Sequence, residues 1–363
     1  KEVDVIVVGG EPEGVAAAIS AARNGASVLL IENRDELGGL FTYGMLNFLD
    51  IPQGPDGQSV SRGIFEEWHT QVGKQSAFDV ELAKKVFRQM VEAEGNITLL
   101  TETEVVDVQK EDNKIVGLTY KNADGEFDVQ ATSFIDATQD ADFAVMAGAP
   151  YFVGGEDIGI EDKKMAVTLM IHLNNVDWDG VRAEAASGKF GEAEVTETAA
   201  WGFVELTRVY KPVEENTRLR GLNLAKVGDD YYINALQIFG VNGLDEASKA
   251  EGIARGKREI DNIVAFLKSE FKGFENAVIA SYPPELYVRE TRHIIAEYQL
   301  PMADVWMNRN HWDNITYASY PVDIHAQTQQ DYGYIVSAPT AYAIPFRSIV
   351  PKEVDGLLVV GRS

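Results

Sequence analysis

The stretch VDVIVVGGEPEGVAAAISAARNGASVLLIEN, residues 3–33, constrains the fold of this chain more than any other part of it. Residues 3–8 are mostly β-branched and apolar, which is typical of a strand buried on both faces of a parallel sheet. Glycines follow at once, and the small residues of segment 15–24 allow a helix to pack closely against that sheet. Residues 28–31 repeat the pattern of a buried strand. The stretch therefore predicts a βαβ unit of the dinucleotide-binding type.

The glycines and acids of this unit indicate what it could bind. A helix N-terminus offers unpaired N–H groups and a partial positive charge, and Gly9, Gly10 and Gly14 would let a pyrophosphate approach them. Glu32 ends the second strand 18 residues after Gly14, where an acid binds a ribose hydroxyl. Glu11 departs from the G-x-G-x-x-G pattern, because its charge would repel a phosphate unless its side chain points to solvent. We therefore expect a dinucleotide site, and a purely structural α/β turn is the alternative.

The composition limits the classes of function that remain. At 363 residues the chain is long enough for two domains. Its net charge of −25 argues against binding to nucleic acid or to anionic membranes, and no apolar run is long enough to span a membrane. The sequence has no cysteine, no metal-binding spacing, no G-x-S-x-G pattern and no P-loop. Thiol chemistry, a metal site, hydrolysis and phosphoryl transfer are therefore not expected, whereas oligomeric state and location stay open.

The rest of the chain predicts two regions of different architecture. After Glu32 the sequence predicts a glycine-rich loop over the ligand at residues 33–52 and two covering helices at residues 64–72 and 80–93. Three short strands follow at residues 97–100, 103–108 and 115–120, with a hairpin turn at residues 123–126. From about Tyr151, aromatic-rich strands predict an antiparallel sheet with a long helix over residues 245–271 at its edge: MAVTLMIHLNNV, WGFVELTRVY and YYINALQIFGV. GLLVV, residues 356–360, is again a fully buried strand, so the chain is expected to return to its first region.

Six segments carry a resemblance to a known family. They are VIVVGGEPEGVAAAISAA, LLIENRDELGGLFTYGMLNFLD, FIDATQDADFAVMAGAP, YVRETRHIIAEYQLPMADV, YPVDIHA and IPFRSIVPKEVDGLLVVGRS. In order and spacing, from residue 3 to residue 363, they resemble the FAD-dependent oxidoreductases of the glutathione-reductase-like superfamily. The resemblance implies an α/β fold with a Rossmann-like FAD-binding domain and a second, mainly antiparallel β-sheet substrate domain. Residues 1–150 and 346–363 would form the first domain and residues 151–345 the second.

The same resemblance implies FAD as the cofactor and assigns its contacts. It implies that Gly9, Gly10 and Gly14 contact the pyrophosphate and that Glu32 contacts the adenosine ribose. Gly38 and Gly39 would contact the middle of the dinucleotide, and Val105 would contact the adenine. Asp136, Ala137 and Thr138 would form a second crossing near the phosphates, and Gly361 and Arg362 would begin the flavin-binding motif. Gln139 and Ala141 depart from the family, whose members usually carry glycine there. In the family a loop and a helix follow the strand that matches GLLVVGRS. Because the sequence ends at Ser363, we expect a truncated form of a longer chain, with weak binding of the isoalloxazine half.

Candidate catalytic residues lie in RETRHI and YPVDIHA. Arg289 and Arg292 are three positions apart, so on a helical turn they would share a face, whereas on a strand they would point to opposite faces. As a pair they could hold a carboxylate or a reduced-flavin anion. An inter-domain salt bridge is the alternative. His325, two residues after Asp323, could act as acid or base, since hydride transfer from a carbon that bears a hydroxyl needs a proton acceptor. A structural histidine is the alternative there, and two further histidines, His69 and His311, are expected at the surface.

The predicted function is the oxidation or reduction of a small organic substrate at FAD. Without cysteine the disulfide-reductase chemistry of the superfamily is excluded, which leaves direct reaction of the substrate at flavin N5. Two alternatives stay open. An NAD-dependent dehydrogenase could use the same βαβ unit, although it would not need the returning segments at Asp136 and Gly361. A non-catalytic binding protein with a degenerate dinucleotide site is favoured by Glu11 and Gln139.

Overall fold

The structure, a computed structural model, describes residues 2–53, 58–161, 164–336 and 341–363. Within these residues the strands are, in chain order, β1 (Glu2–Val8), β2 (Val28–Ile31), β3 (Ile97–Leu100), β4 (Glu104–Glu111), β5 (Lys114–Asn122), β6 (Gly125–Asp136), β7 (Tyr151–Val153), β8 (Val167–Thr168), β9 (Ile171–Asn174), β10 (Ala193–Val195), β11 (Ala199–Gly202), β12 (Thr217–Leu219), β13 (Asn223–Val227), β14 (Asp230–Ile233), β15 (Leu236–Ile238), β16 (Val278–Ser281), β17 (Arg292–Ile294), β18 (Asn314–Ala318), β19 (Val322–Ile324), β20 (Tyr334–Val336), β21 (Tyr342–Pro345) and β22 (Leu357–Val359). The α-helices are α1 (Pro12–Arg23), α2 (Gly39–Thr42), α3 (Ile64–Gln71), α4 (Val80–Glu92), α5 (Asp142–Met146), α6 (Trp178–Ser187), α7 (Leu206–Val209), α8 (Glu246–Glu270) and α9 (Met302–Trp306), with short 3-10 helices at Glu156–Ile158 and Phe346–Ile349.

The first sheet carries the βαβ unit at its centre. Its strand order is β3-β2-β1-β6-β5-β4, and β22 pairs in parallel with the end of β6. β1 is parallel to both β2 and β6, so the carboxyl ends of β2, β1, β6 and β22 meet at one edge. One face packs on α1 and α4 around Ile19 and Phe87, and the other forms an apolar cluster around Ile6 and Phe143. Because both faces of the sheet are buried, the sequences of these strands are continuous apolar runs.

The second large sheet is antiparallel. Its strand order is β10-β11-β13-β14-β9-β16, and all of these pairings are antiparallel. Helix α8 joins the same apolar core through Ile260, Ile263 and Leu267. Its Gly256 allows a close approach to the smaller sheet β12-β15-β8, since a Cβ there would lie 2.8 Å from Ile238 Cδ1. The predicted α/β class, a Rossmann-like parallel sheet with a second antiparallel sheet, is confirmed.

Two local expectations differ from the structure. WGFVELTRVY does not form one strand, because β11 ends at Gly202 and the chain turns into α7. The cause is local: Gly202 has φ of +108° and Phe203 has φ of +55°, and both break the extended backbone. The loop after β2 contains the single turn of α2. No helix in the described part of the chain combines the length and the apolar character that crossing a membrane requires.

Candidate functional site

The carboxyl ends of four parallel strands open into a cleft. Its cavity, of about 350 Å³, is lined by residues that follow β1, β2, β6 and β22, namely Glu11, Asn33, Arg34, Thr138, Gln139, Asp140 and Arg362. Further lining comes from helix α8 and from segment 284–288. A crevice at this edge of an open parallel sheet is where α/β folds bind nucleotides, and its volume suits part of a small-molecule ligand. This cleft is the candidate dinucleotide site.

The turn after β1 is packed so tightly that two of its positions require glycine. Gly9 has φ of +104°, and a Cβ there would lie 2.3 Å from the carbonyl oxygen of Ala137. A Cβ on Gly14 would lie 1.9 Å from the carbonyl oxygen of Gly9. Helix α1 begins within this turn and has no side-chain cap at its N-terminus. The N–H groups of its first turn are therefore available to an anion, and the turn fits a pyrophosphate.

Glu32 holds this turn in place from the end of β2. Its carboxylate is buried and accepts hydrogen bonds from the N–H of Gly10 at 2.6 Å and from the N–H of Arg34 at 2.8 Å. Val105, assigned to adenine, lies in β4 and pairs with Tyr120. The ribose and adenine contacts stay predictions. The structure adds that the Glu32 carboxylate also fixes the glycine turn.

Glu11 is buried, so the condition under which its charge would not repel a phosphate, a side chain that points to solvent, is not met. Only 4% of the residue is exposed. Its Oε2 accepts the Leu40 N–H at 3.1 Å, and its Oε1 lies 3.1 Å from Arg34 Nη1. A Cβ on Gly39 would lie 1.7 Å from Oε2, so the carboxylate rests against glycine backbone. Burial raises the pKa of Glu11 to about 7 and outweighs the attraction of Arg34. The carboxylate therefore lies inside the cleft, beside the glycine turn.

Gly38 and Gly39 bring the loop after β2 onto the glycine turn. Gly38 has φ of +100°, and its N–H donates to the Gly10 carbonyl oxygen at 2.8 Å. The chain then enters α2, whose Leu40 N–H meets Glu11. The structure thus brings together the first six residues assigned to the dinucleotide: Gly9, Gly10, Gly14, Glu32, Gly38 and Gly39.

The end of β6 brings the second crossing to the cleft. Ala137 packs on Gly9, and Thr138 lines the cavity. Asp136 points inward instead, because its buried carboxylate accepts the N–H and hydroxyl of Thr138 and the N–H of Ala144. Burial raises the pKa of Asp136 to about 6. Asp136 therefore supports the turn into α5, and Thr138 is the side chain of this crossing that faces the cleft.

Gln139 and Ala141 have a backbone conformation that glycine adopts more readily than other residues. Their φ values are +66° and +56°, both left-handed. Gly361, with φ of +99°, places the next residue so that the Arg362 N–H donates to Gln139 Oε1 at 3.2 Å. The guanidinium of Arg362 also forms an ion pair with Asp140. The end of β22 is therefore tied to the end of β6, beside the cavity.

A second, larger cavity of about 1020 Å³ is lined by two of the three candidate catalytic residues, Arg289 and His325. Charged and aromatic residues form much of its lining, namely Arg220, Tyr287, Arg289, Tyr320, Asp323 and His325. Leu46 and Phe48 also line it, whereas Leu40 lines the smaller cavity. The short segment from Leu40 to Phe48 therefore borders both cavities.

His325 is held between an arginine and an aspartate. Arg220 Nη1 lies 3.0 Å from His325 Nδ1, and Asp323 Oδ2 lies 3.2 Å from His325 Nε2. A guanidinium only donates, so Nδ1 accepts from Arg220 and the proton on Nε2 is donated to Asp323. Burial lowers the pKa of His325 below its usual 6.5, so the ring is neutral at pH 7. A neutral imidazole with a fixed tautomer can accept a proton at Nδ1 when Arg220 moves away.

The arginine pair expected from RETRHI does not form. The segment is not helical there, and Arg292 begins β17. Arg289 lines the larger cavity, with its guanidinium 4.1 Å from the centre of the Tyr287 ring and its Nη1 donating to the Ala166 carbonyl oxygen at 2.7 Å. Arg292 instead forms an ion pair with Asp142 at 2.5 Å. Of the two readings left open by the spacing, the helical turn does not occur, and Arg292 forms a salt bridge, the alternative named above.

Three residues were missed or misplaced by sequence reasoning. Arg220 follows β12 in TRLRGL, where arginines at alternate positions of an apolar strand are a signal that could have revealed it. His69 is buried, and its Nε2 lies 2.8 Å from the carbonyl oxygen of Gln75. The side chain of His311 is 4% exposed and lies beside Asp304. The expectation of surface positions is wrong for both histidines.

The smaller cleft fits a dinucleotide by several independent features. Its glycine turn, its uncapped helix N-terminus and its position at the carboxyl ends of parallel strands all suit a pyrophosphate. For a pyrophosphate to bind there, Glu11 would have to move or lose its charge. The cleft therefore supports the cofactor that the resemblance implies.

Solved structures with a similar fold have low identities. A geranylgeranyl bacteriochlorophyll reductase-like protein from Thermoplasma acidophilum is 16% identical, with a TM-score of 0.47, over 78% of this chain and 65% of that chain. This chain therefore spans less than two thirds of that protein's length. The p-nitrophenol 4-monooxygenase of Pseudomonas putida is 11% identical, with a TM-score of 0.44, over 82% and 71% of the two chains. A myxobacterial chondrochloren halogenase is 16% identical, with a TM-score of 0.45, over 82% and 66%. Values this low carry no conclusion about activity.

Family membership rests on the sequence itself. No curated protein matches the chain significantly. The FAD dependent oxidoreductase family, in contrast, matches it over residues 4–363, which is nearly the whole chain. The chain therefore belongs to the FAD dependent oxidoreductase family, and its cofactor is FAD.

Proposed function

We propose that this protein oxidises or reduces a small organic substrate in the larger cavity, with His325 as the group that exchanges a proton with it. The observation that carries the proposal is the setting of His325, a neutral imidazole in a cavity of about 1020 Å³ between Arg220 and Asp323. The segment from Leu40 to Phe48 borders this cavity and the dinucleotide cleft, which supports a reaction between the two. When bound, FAD supplies hydride-transfer chemistry.

The side chains of the cavity supply the proton chemistry. When a C–H that bears a hydroxyl is oxidised, the hydroxyl proton needs an acceptor of its own. His325 Nδ1 would take this proton, and Asp323 would stabilise the resulting imidazolium through Nε2. In the opposite direction the same imidazolium would donate the proton to a substrate carbonyl oxygen.

Replacing His325 by asparagine is expected to slow flavin reduction by substrate about 100-fold, the scale of a lost general base. FAD affinity should stay almost unchanged, because His325 lines the larger cavity rather than the cleft. Anaerobic stopped-flow mixing of the FAD-loaded protein with alcohols and hydroxy acids measures the rate, and the dithionite-reduced protein is mixed with the matching carbonyl compounds. His293→Asn, in β17, is the control. Unchanged rates in His325→Asn would show that this histidine is structural.

The pH dependence of the rate gives a separate prediction. Burial lowers the pKa of His325 below 6.5, and the neutral form is the base. Flavin reduction by a hydroxylated substrate should therefore rise with pH through a midpoint below 6.5 and be flat near pH 7. His325→Asn should lose this midpoint. A midpoint well above 6.5 in the unmodified protein would assign the base to another group.

Replacing Glu32 by alanine is expected to weaken FAD binding by on the order of 1.5–3 kcal/mol, the scale of a charge-assisted hydrogen bond. The change removes the proposed ribose contact and releases the N–H groups of Gly10 and Arg34. Fluorescence titration with FAD measures the dissociation constant. Glu36→Ala, which removes an acid paired with Arg88 at 2.9 Å, is the control. Equal dissociation constants for Glu32→Ala and the unmodified protein would remove Glu32 from the site.

A further inference from the structure

We infer that the larger cavity takes a substrate that carries a carboxylate, held by Arg220 and Arg289. The inference rests on the proposed function, because it names the substrate class of the same site. It is drawn from the arginines themselves, which line the cavity as partly exposed side chains, with Arg220 next to the proposed base.

The first reason is that, among the described residues, neither arginine forms an ion pair with a carboxylate, although the chain is rich in acids. The sequence has 57 acidic and 32 basic residues. Most arginines of the described residues are paired with a carboxylate, as Arg34 is with Glu285 at 2.7 Å. The hydrogen bonds described for Arg220 and Arg289 go to an imidazole nitrogen and to a backbone carbonyl oxygen. Buried charges are usually paired, so a missing partner points to a ligand.

The second reason is the environment of each guanidinium. Arg289 Nε is buried and has no hydrogen-bond partner among the described residues, although the group is oriented by Tyr287 and Ala166. Burial lowers the pKa of Arg289 to about 10 and also lowers that of Arg220. Both shifts mean that the cations are poorly solvated. An anion entering the cavity would replace the lost solvation.

The third reason is the charge balance around His325, which favours a single negative charge. Asp323 is the acid beside the two arginines, and it already accepts the Nε2 proton of His325. Two cations, one anion and a neutral imidazole leave one positive charge. Further along the lining, Asp50 accepts the Tyr320 hydroxyl at 2.9 Å, Glu66 pairs with Arg62 at 3.0 Å, and Lys74 adds a cation. A carboxylate neutralises the excess and matches the planar fork of a guanidinium.

Carboxylate binding would also prepare the base. In the structure Arg220 Nη1 donates to His325 Nδ1, which blocks the nitrogen that has to accept the proton. A carboxylate offers Arg220 a stronger, charged acceptor. Arg220 would then leave Nδ1 free at the moment when a substrate is bound. The same arginine thereby links recognition of the substrate to activation of His325.

The test compares an acid with its amide in the FAD-loaded protein. Benzoate and benzamide have the same shape and differ in charge, and calorimetry together with the flavin difference spectrum measures their binding. We expect benzoate to bind at least tenfold more tightly than benzamide. Arg220→Gln and Arg289→Gln should each remove this preference and leave FAD affinity unchanged, whereas Arg289→Lys should keep part of it. Arg208→Gln removes a charge from a side chain that is 81% exposed, and it should behave like the unmodified protein.

Several results would overturn the inference. Equal binding of benzoate and benzamide to the unmodified protein would overturn it, and no variant is needed for that comparison. Tighter binding of inorganic phosphate than of benzoate would replace the carboxylate by another anion. A loss of FAD affinity in Arg289→Gln, with the benzoate preference intact, would assign this arginine to the flavin. If neutral alcohols reduce the flavin and benzoate is not preferred, the proposed function holds and the carboxylate inference fails. If benzoate is preferred but no substrate reduces the flavin, the carboxylate site holds and the proposed function fails.

Discussion

Replacing Glu11 by glycine is expected to tighten FAD binding about 100-fold at pH 9 and to have little effect below pH 7. The Glu11 carboxylate is buried against Leu40 N–H and Gly39, within the cleft that fits the pyrophosphate. A carboxylate and a phosphate about 4 Å apart repel by roughly 4 kcal/mol at an effective dielectric constant near 20. Protonating the carboxyl above its pKa costs only about 1.4 kcal/mol per pH unit. Protonation is therefore the less costly route, and Glu11 should take up a proton when FAD binds.

The sign of the pH effect follows from the raised pKa. Glu11 has a pKa of about 7 in the folded protein, so it is neutral below pH 7 and charged above it. The dissociation constant of FAD should be flat below pH 7 and rise about tenfold per pH unit above it. Glu11→Gly should remove this slope. The exposed Glu13, which accepts Gln139 Nε2 at 2.8 Å, provides the control Glu13→Gln, and this variant should keep the slope. A slope of zero in the unmodified protein would contradict the prediction.

Replacing Gly14 by alanine is expected to abolish measurable FAD binding. The new Cβ would lie 1.9 Å from the Gly9 carbonyl oxygen, which is backbone and has no rotamer to change. Helix α1 would have to move away from β1, and the N–H groups of its first turn would move with it. Overpacking of this kind also costs about 1–3 kcal/mol of stability, so the melting temperature should fall.

Gly95→Ala is the matched control for this substitution. A Cβ on Gly95 has nothing within 4 Å, so neither FAD affinity nor melting temperature should change. FAD titration and thermal unfolding are measured on both variants. FAD binding by Gly14→Ala with the affinity of the unmodified protein would show that the turn does not approach the pyrophosphate.

The βαβ unit could be predicted from sequence because its signals are local. Strands buried on both faces leave continuous apolar runs, and the turn between β1 and α1 requires glycine for steric reasons that lie within a few residues. The left-handed backbone of Gln139 could not be predicted, because that residue type usually avoids it. Tertiary contacts fix the backbone conformation there, because the Gln139 side chain accepts a hydrogen bond from the N–H of Arg362 at the other end of the chain.

The errors at the candidate site have the same origin. The direction of Glu11 depends on Arg34 and Leu40, which the chain brings back from a later loop. The separation of Arg289 from Arg292 depends on a non-helical backbone, and their spacing alone could not decide between a helical turn and a strand. Arg220 joins His325 across more than a hundred residues. Spacing within one motif could not reveal these contacts, because each is formed between segments that are distant in sequence.

The most direct test of the central claim is the absorbance of the FAD-loaded protein during anaerobic mixing with small hydroxycarboxylates. We predict that at least one of them bleaches the oxidised flavin. We also predict that its amide does not, and that His325→Asn slows the reaction about 100-fold while binding FAD normally. A protein that binds no FAD, or that is bleached at the same rate with and without His325, would contradict the proposed function.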